Sequence, residues 1–199
     1  MTNLAIIYYS SYGTTHTMAE RIASTGEKEG AQVRLRHVAE TAPAEVIEGQ
    51  DKWQAHRDAL GDQPVAEPED LAWADVAILG SPTRYGHVTS QLQAYLDTLG
   101  PLWQEGKLAD KVYTAFTSTQ TTHGGQETTI QALHTTFAHF GGIIVPPGYT
   151  DALKFVDGNP YGVSLTAGHD NISEFDDATN AALDHLARRV VSVADRLTS

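Results

Sequence analysis

At 199 residues with 41% hydrophobic content, the chain is sized for one well-buried core, and a single domain over 1–199 is expected. Its formal charge of −12 comes from acids scattered along the chain, which argues against nucleic-acid or anionic-membrane partners, since both require a basic face. No cysteine is present, so disulfides, thiolate nucleophiles, Cys-ligated zinc and iron–sulfur clusters are excluded together.

The N-terminus MTNLAIIYYSSYG has no basic n-region and no small-residue cleavage site, and no apolar run approaches membrane-spanning length. A cytoplasmic protein without membrane insertion is expected. Leu4 to Tyr9 is a short apolar run that suits a strand buried on both sides. Thr15, Met18, Ala19, Ile22 and Ala23 follow at the three-and-four spacing of one helix face. Val33 and Leu35 alternate with Arg34 and Arg36, which predicts a second strand with one polar face, at a sheet edge. Asp75 to Ser81 reads as the third strand, and Leu92, Tyr95, Leu96 and Leu99 as its helix. KVYTAFTS is the fourth strand, with Ile130, Leu133 and Phe137 striping the next helix; GGIIVPP is the fifth, ended by its prolines. Ser173 to Leu197 closes the chain as a helix, with a Ser173, Asp176 capping pair and an apolar stripe of Ala182, Leu186, Val190, Val193 and Leu197.

Five strands alternating with helices specify an open parallel sheet covered on both faces. Ligands in such folds bind beyond the carboxyl ends of the strands, so the loops after strands one, three and four hold the information. Two segments, near 38–72 and 147–172, exceed ordinary connections and are expected to be insertions that pack on a surface or a subunit interface.

The first loop, SSYGTT, turns successive backbone N–H groups into a helix start and adds hydroxyls, which suits a phosphate. A nucleoside-triphosphate loop would need Gly-Lys-Ser/Thr, and no lysine precedes Lys28. A dinucleotide fingerprint would need three glycines, and only Gly13 is here. A compact terminal phosphate remains, with a ligand-free hydroxyl-rich N-cap as the alternative. The second loop, SPTRYGHV, sets Pro82 and Gly86 around Arg84 and Tyr85, a planar cation and an aromatic suited to a flat heterocycle. The third, TSTQTTHGGQE, again places hydroxyls and paired glycines between a buried strand and a helix. His16, His123 and His134 lack the spacing of a zinc helix, and no G-x-S-x-G elbow is present, so neither metal catalysis nor serine hydrolysis is expected.

YYSSYGTTHTMA, SPTRYG, STQTTHGGQE, TTFAHFGGIIVPPGY and PYG, in this order over nearly the whole chain, resemble the WrbA-type FMN-dependent NAD(P)H:quinone oxidoreductases of the flavodoxin-like superfamily. The resemblance implies a flavodoxin-like three-layer α/β fold with a five-stranded parallel sheet in the order 2-1-3-4-5. It further implies one FMN per subunit and a homotetramer with active sites near subunit boundaries. By the same resemblance, Ser10, Ser11, Tyr12, Gly13, Thr14 and Thr15 surround the FMN phosphate, and Tyr12 also meets NADH or NADPH. Thr83, Arg84 and Tyr85, between Pro82 and Gly86, meet the isoalloxazine and ribityl region. Ser118, Thr119, Gln120, Thr121, Thr122, His123 and Gly124 run along the other ring edge. His139 approaches the flavin from a neighbouring subunit, and Trp103 walls the quinone pocket. From the residues alone, Trp103 follows Gly100-Pro101, which reads as a helix stop, so a loop position is expected. The chain departs from the family pattern at QTTH, between Thr119 and Gly124, and in the longer first insertion, which contains DKWQAHRDALGDQ.

The implied activity is two-electron transfer from NAD(P)H to a quinone by a ping-pong mechanism, with the cofactor supplying the redox chemistry and the protein the placement and electrostatics. Arg84 favours the reduced, anionic flavin, and His139 donates to a flavin carbonyl or quinone oxygen as charge develops. A one-electron flavodoxin-type carrier and an FMN-binding regulatory module are the competing functions at this stage.

Overall fold

A computed structural model describes residues 1–169, 171–172 and 174–197. Strands β1 (Asn3–Tyr8), β2 (Gln32–His37), β3 (Val76–Pro82), β4 (Val112–Thr119) and β5 (Ile143–Ile144) lie in the order β2-β1-β3-β4-β5, all parallel. The register runs Val33–Leu4–Val76 on one side, and Val76 faces Val112. Helices α1 (Thr14–Lys28) and α9 (Asp177–Leu197) cover one face. The other face carries α4 (Pro68–Trp73), α5 (Ser90–Asp97) and α7 (Gln126–His139). Alternation along the strands divides the core accordingly: Leu4, Ile6, Ile78 and Phe116 pack toward α1 and α9, while Ala5, Ile7, Leu79 and Tyr113 pack toward α5 and α7. Among the described residues no helix is long and apolar enough to cross a membrane.

Strand β2 is at the edge, as its alternation predicts, and its polar face is covered. Arg34 and Arg36 reach Asp70 of α4 at 3.1 and 3.2 Å, and Arg34 lies 4.0 Å over the Trp73 ring. Asp70 also accepts the Glu67 N–H in a capping box, so one buried carboxylate starts α4 and fixes it to β2. The first long segment therefore contains the crossover helix between β2 and β3 as well as a true insertion, α2 (Ala44–Glu48) and α3 (Asp51–Leu60).

The second long segment corrects the sequence reading more. It contains α8 (Lys154–Asp157) and a sixth strand, β6 (Val163–Thr166), which pairs with Phe116–Thr119 of β4 beyond the stretch that β5 uses. The fifth sheet position is thus filled by two short strands in succession. Gly162 lets the chain re-enter, because a Cβ there would sit 2.4 Å from the Ala115 carbonyl oxygen.

Two termini of helices also differ from expectation. Ser173 lies outside the described residues; α9 begins at Asp177, with the Asp176 carboxylate accepting the Thr179 N–H at 2.8 Å. Its buried stripe ends at Ala194, and Leu197 is exposed. Trp103 is on a short helix, α6 (Gly100–Gln104), not a loop: Pro101 occupies the first turn, where its fixed φ is favourable and its missing N–H costs nothing.

Candidate active site

The three loops read from the sequence meet at the carboxyl end of the sheet around a cleft of about 1010 Å³. In the first, Gly13 has φ 99°, its N–H donates to Ser10 Oγ at 3.0 Å, and its carbonyl accepts the first helical bond, from Thr17. Bonding within α1 thus starts at Thr17, and among the described residues the amides of Thr14, Thr15 and His16 have no acceptor. Ser10, Ser11, Thr14 and Thr15 are buried yet line the cleft. Thr15 Oγ1 and Ser118 Oγ are hydrogen-bonded at 2.9 Å, which joins this loop to the third. An anion is stabilised here by free amides, the helix dipole and hydroxyls together.

The second loop is a tight turn in which Arg84 and His87 exchange both backbone bonds, at 2.7 and 3.0 Å. Tyr85 and Gly86 take φ 54° and 85° at its tip, the two positive values of a type I′ turn. That geometry leaves the Tyr85 ring fully exposed at the cleft rim. Arg84 donates to Ser11 Oγ at 2.9 Å and to the Thr83 carbonyl at 3.0 Å, so its guanidinium is fixed between the first two loops. It is the one lysine or arginine among the described residues lining this cleft.

The third loop starts from Ser118 and Thr119 at the end of β4 and closes through Thr119 Oγ1 and Gly124 N–H, both bonded to the Thr121 carbonyl. Gly125 (φ 93°) backs onto the second loop: a Cβ there would lie 2.6 Å from Gly86 Cα. The two glycines let the second and third loops touch backbone to backbone.

Most of the residues singled out from the sequence are gathered here. Ser10, Ser11, Tyr12, Thr14 and Thr15 line the cleft with Pro82 to Tyr85, Ser118 to Thr121 and Gly124. Gly13 and Gly86 shape the loops, while Thr122 and His123 are exposed and do not line the cleft. Trp103 and His139 are elsewhere. Trp103 Nε1 donates to the His139 carbonyl at 2.9 Å, at the end of α7 that lies about 20 Å along the helix from the third loop.

Sequence reasoning missed a fourth wall. Thr41 to Pro43, Gln50, Trp53 and Gln91 face the cleft from the first insertion and the start of α5. They are organised by Glu40, whose carboxylate accepts from the Thr41 and Ala42 amides, Gln91 Nε2, Tyr9 Oη and Trp53 Nε1, at 2.7 to 3.1 Å. Partial burial works against the charge of Glu40, but the bonds from Ala42, Gln91, Tyr9 and Thr41 outweigh it and hold its pKa below the usual range. No local pattern marks these residues; Glu40 is an isolated acid in the sequence.

Behind the first loop, Tyr8 Oη bonds His16 Nδ1 at 2.5 Å and Gln63 Oε1 at 3.1 Å, and the His56 ring of α3 lies 5.3 Å from that of His16. Burial, then the nearby His16 and His37, push His56 down to about 4. Because its folded pKa is below the ordinary 6.5, the unfolded chain binds its proton more readily between those values. Stability is therefore full above 6.5 and declines as pH falls toward about 4. Thermal midpoints measured across this window are expected to fall with pH, and to fall less steeply in His56→Gln.

The sheet order, the three-loop cleft and the helix-start anion cradle define a flavodoxin-like α/β protein. The chain superimposes with a TM-score of 0.67 on a flavodoxin, WrbA-like protein from Agrobacterium tumefaciens, over 98% of this chain and 99% of that one at 23% identity, a match in fold. Residues 2–153 match the family NADPH-dependent FMN reductase. The chain is 49% identical over 98% of its length, and 96% of the relative, to a protein from Deinococcus radiodurans named NAD(P)H dehydrogenase (quinone). A Caulobacter vibrioides protein of the same name is 39% identical over 99% of both chains. The chain belongs to this family of FMN-dependent, NAD(P)H-linked oxidoreductases.

Proposed function

We propose that the protein passes two electrons from NADH or NADPH to a quinone in a ping-pong cycle, with one FMN per chain in the cleft. The observation that carries this reading is the first loop: free helix-start amides and buried hydroxyls, with no lysine, match a single terminal phosphate. When bound, FMN supplies the redox chemistry, accepting a hydride and returning two electrons. The chain's own residues place it. Ser10 to Thr15 hold the phosphate; Thr83 to Tyr85, with Ser118 to Thr121 and Gly124, bracket the ring system. Arg84, fixed by Ser11 and Thr83, holds positive charge where negative charge develops. Tyr12 offers its ring to the nicotinamide at the same rim that the quinone later occupies.

His139 and Trp103 fit the cycle as contributions from another copy in a homotetramer, His139 as hydrogen-bond donor and Trp103 as pocket wall. Their exposed, mutually bonded position away from their own chain's cleft is consistent with that use. Steady-state rates at several NAD(P)H and quinone concentrations are expected to give parallel double-reciprocal lines. Quinone reduction by neither nucleotide would overturn the assignment and favour the electron-carrier or regulatory alternatives.

A further inference from the structure

The segment DKWQAHRDALGDQ, set apart in the sequence as a departure from the family pattern, forms α3 and its exit and brings Trp53 to the cleft. We propose that Trp53 is a specificity-determining wall of the acceptor site that favours two-ring over one-ring quinones, and that Glu40 is the positioning residue that sets its indole. The inference rests on the quinone reductase reading above and deepens it.

Trp53 Nε1 donates to Glu40 Oε2 at 3.1 Å, which fixes the ring's rotation as well as its depth. The same oxygen accepts from Tyr9 Oη at 2.8 Å, and Oε1 accepts from Gln91 Nε2 at 2.7 Å and from two main-chain amides at 2.9 Å. Five donors converge on one side chain, and an ionised carboxylate suits that duty because both its oxygens only accept. Residues from the loop after β1, the loop after β2, α3 and α5 are thereby locked to one another.

The second element is the shape Trp53 makes with Tyr12. Their rings are 6.4 Å apart at 78°, an edge-to-face corner, and Tyr12 Oη donates to Gln50 Oε1 at 2.5 Å. One turn further along α3, His56 packs on His16. The wall is thus held at Trp53 and again at His56, and it lines the same cleft as Tyr12 and Arg84. An indole face is electron-rich, whereas a quinone ring is depleted by its two carbonyls, so face-to-face offset stacking is favoured. A second fused ring increases the overlap, and a single ring seated by hydrogen bonds gains less.

The test compares Michaelis constants for 1,4-naphthoquinone and 1,4-benzoquinone in the FMN-loaded wild type, Trp53→Ala, Trp53→Phe and Glu40→Gln. Trp53→Ala is expected to raise the naphthoquinone KM about 3–10-fold and the benzoquinone KM less than about twofold, the range of one lost aromatic contact. Trp53→Phe should restore most of the ratio, and Glu40→Gln should shift it in the same direction as Trp53→Ala. Naphthoquinone dissociation constants from quenching of protein fluorescence, without turnover, should move in parallel. If Trp53→Ala loses FMN, Trp53→Leu keeps apolar bulk without a π face and decides the matter by the same ratio. An unchanged ratio in a variant that retains FMN overturns this inference alone. Absence of quinone turnover in the wild type overturns the underlying reading, and is seen before any variant is measured.

Discussion

Ser10→Asp is expected to weaken FMN binding about a hundredfold, because two like charges some 5 Å apart at an effective dielectric near 20 repel by about 3 kcal/mol. Ser10 Oγ accepts the Gly13 N–H at 3.0 Å and lines the cleft, so aspartate can keep the turn while placing a charge where the phosphate is proposed to sit. The helix dipole at the start of α1 favours an acid and offsets part of the cost of a charge at this buried position, so the apo protein should stay folded. Ser10→Asn supplies the neutral comparison: it retains the acceptor without the charge, and its FMN affinity should remain within about tenfold of wild type. Titration by quenching of FMN fluorescence reads both variants, and the deficit in Ser10→Asp should shrink as salt is added. Equal losses in the two variants would assign the effect to size and remove the phosphate from this loop.

The second large effect lies at Gly125. Gly125→Ala puts a Cβ 2.6 Å from Gly86 Cα, on a residue with φ 93°. Backbone strain and the enforced separation of two loops together cost about 2–5 kcal/mol. For a chain of this size that is a fall in thermal midpoint of about 5–15 °C. The ligand consequence follows from the same contact. The second and third loops bracket the cleft, so forcing them apart should weaken FMN binding in protein that is still folded. Gly100→Ala, in open space on α6, is the control and should be silent for FMN. Loss of stability with unchanged FMN affinity would separate the Gly86–Gly125 contact from the site.

Much of this site was legible in sequence because its parts are local. Each loop is a short run of hydroxyls and glycines between an apolar strand and a helical stripe, and parallel topology brings such loops to one end of the sheet. Arg84 could be placed in the cleft, but its bond to Ser11, 73 positions away, could not be anticipated. The Glu40 wall was illegible for the same reason: its partners Tyr9, Trp53 and Gln91 are separated by 31, 13 and 51 positions and share no motif. Strand β6 was hidden because Val163–Thr166 is only four residues long and follows an irregular segment. The helical position of Trp103 is not legible because Pro101, which after Gly100 suggests a stop, acts as a helix start. Arg34 and Arg36 announced an edge strand correctly, yet the acid that neutralises them, Asp70, lies beyond an insertion.

Whether the cleft between the three loops holds FMN is tested most directly by stripping the purified protein of small molecules, titrating it with FMN and following the visible absorbance of the bound flavin. Saturable uptake of one FMN per chain is expected, weakened about a hundredfold in Ser10→Asp and within about tenfold of wild type in Ser10→Asn. Absence of uptake by a folded wild-type chain, or uptake indifferent to the charge at position 10, would contradict it.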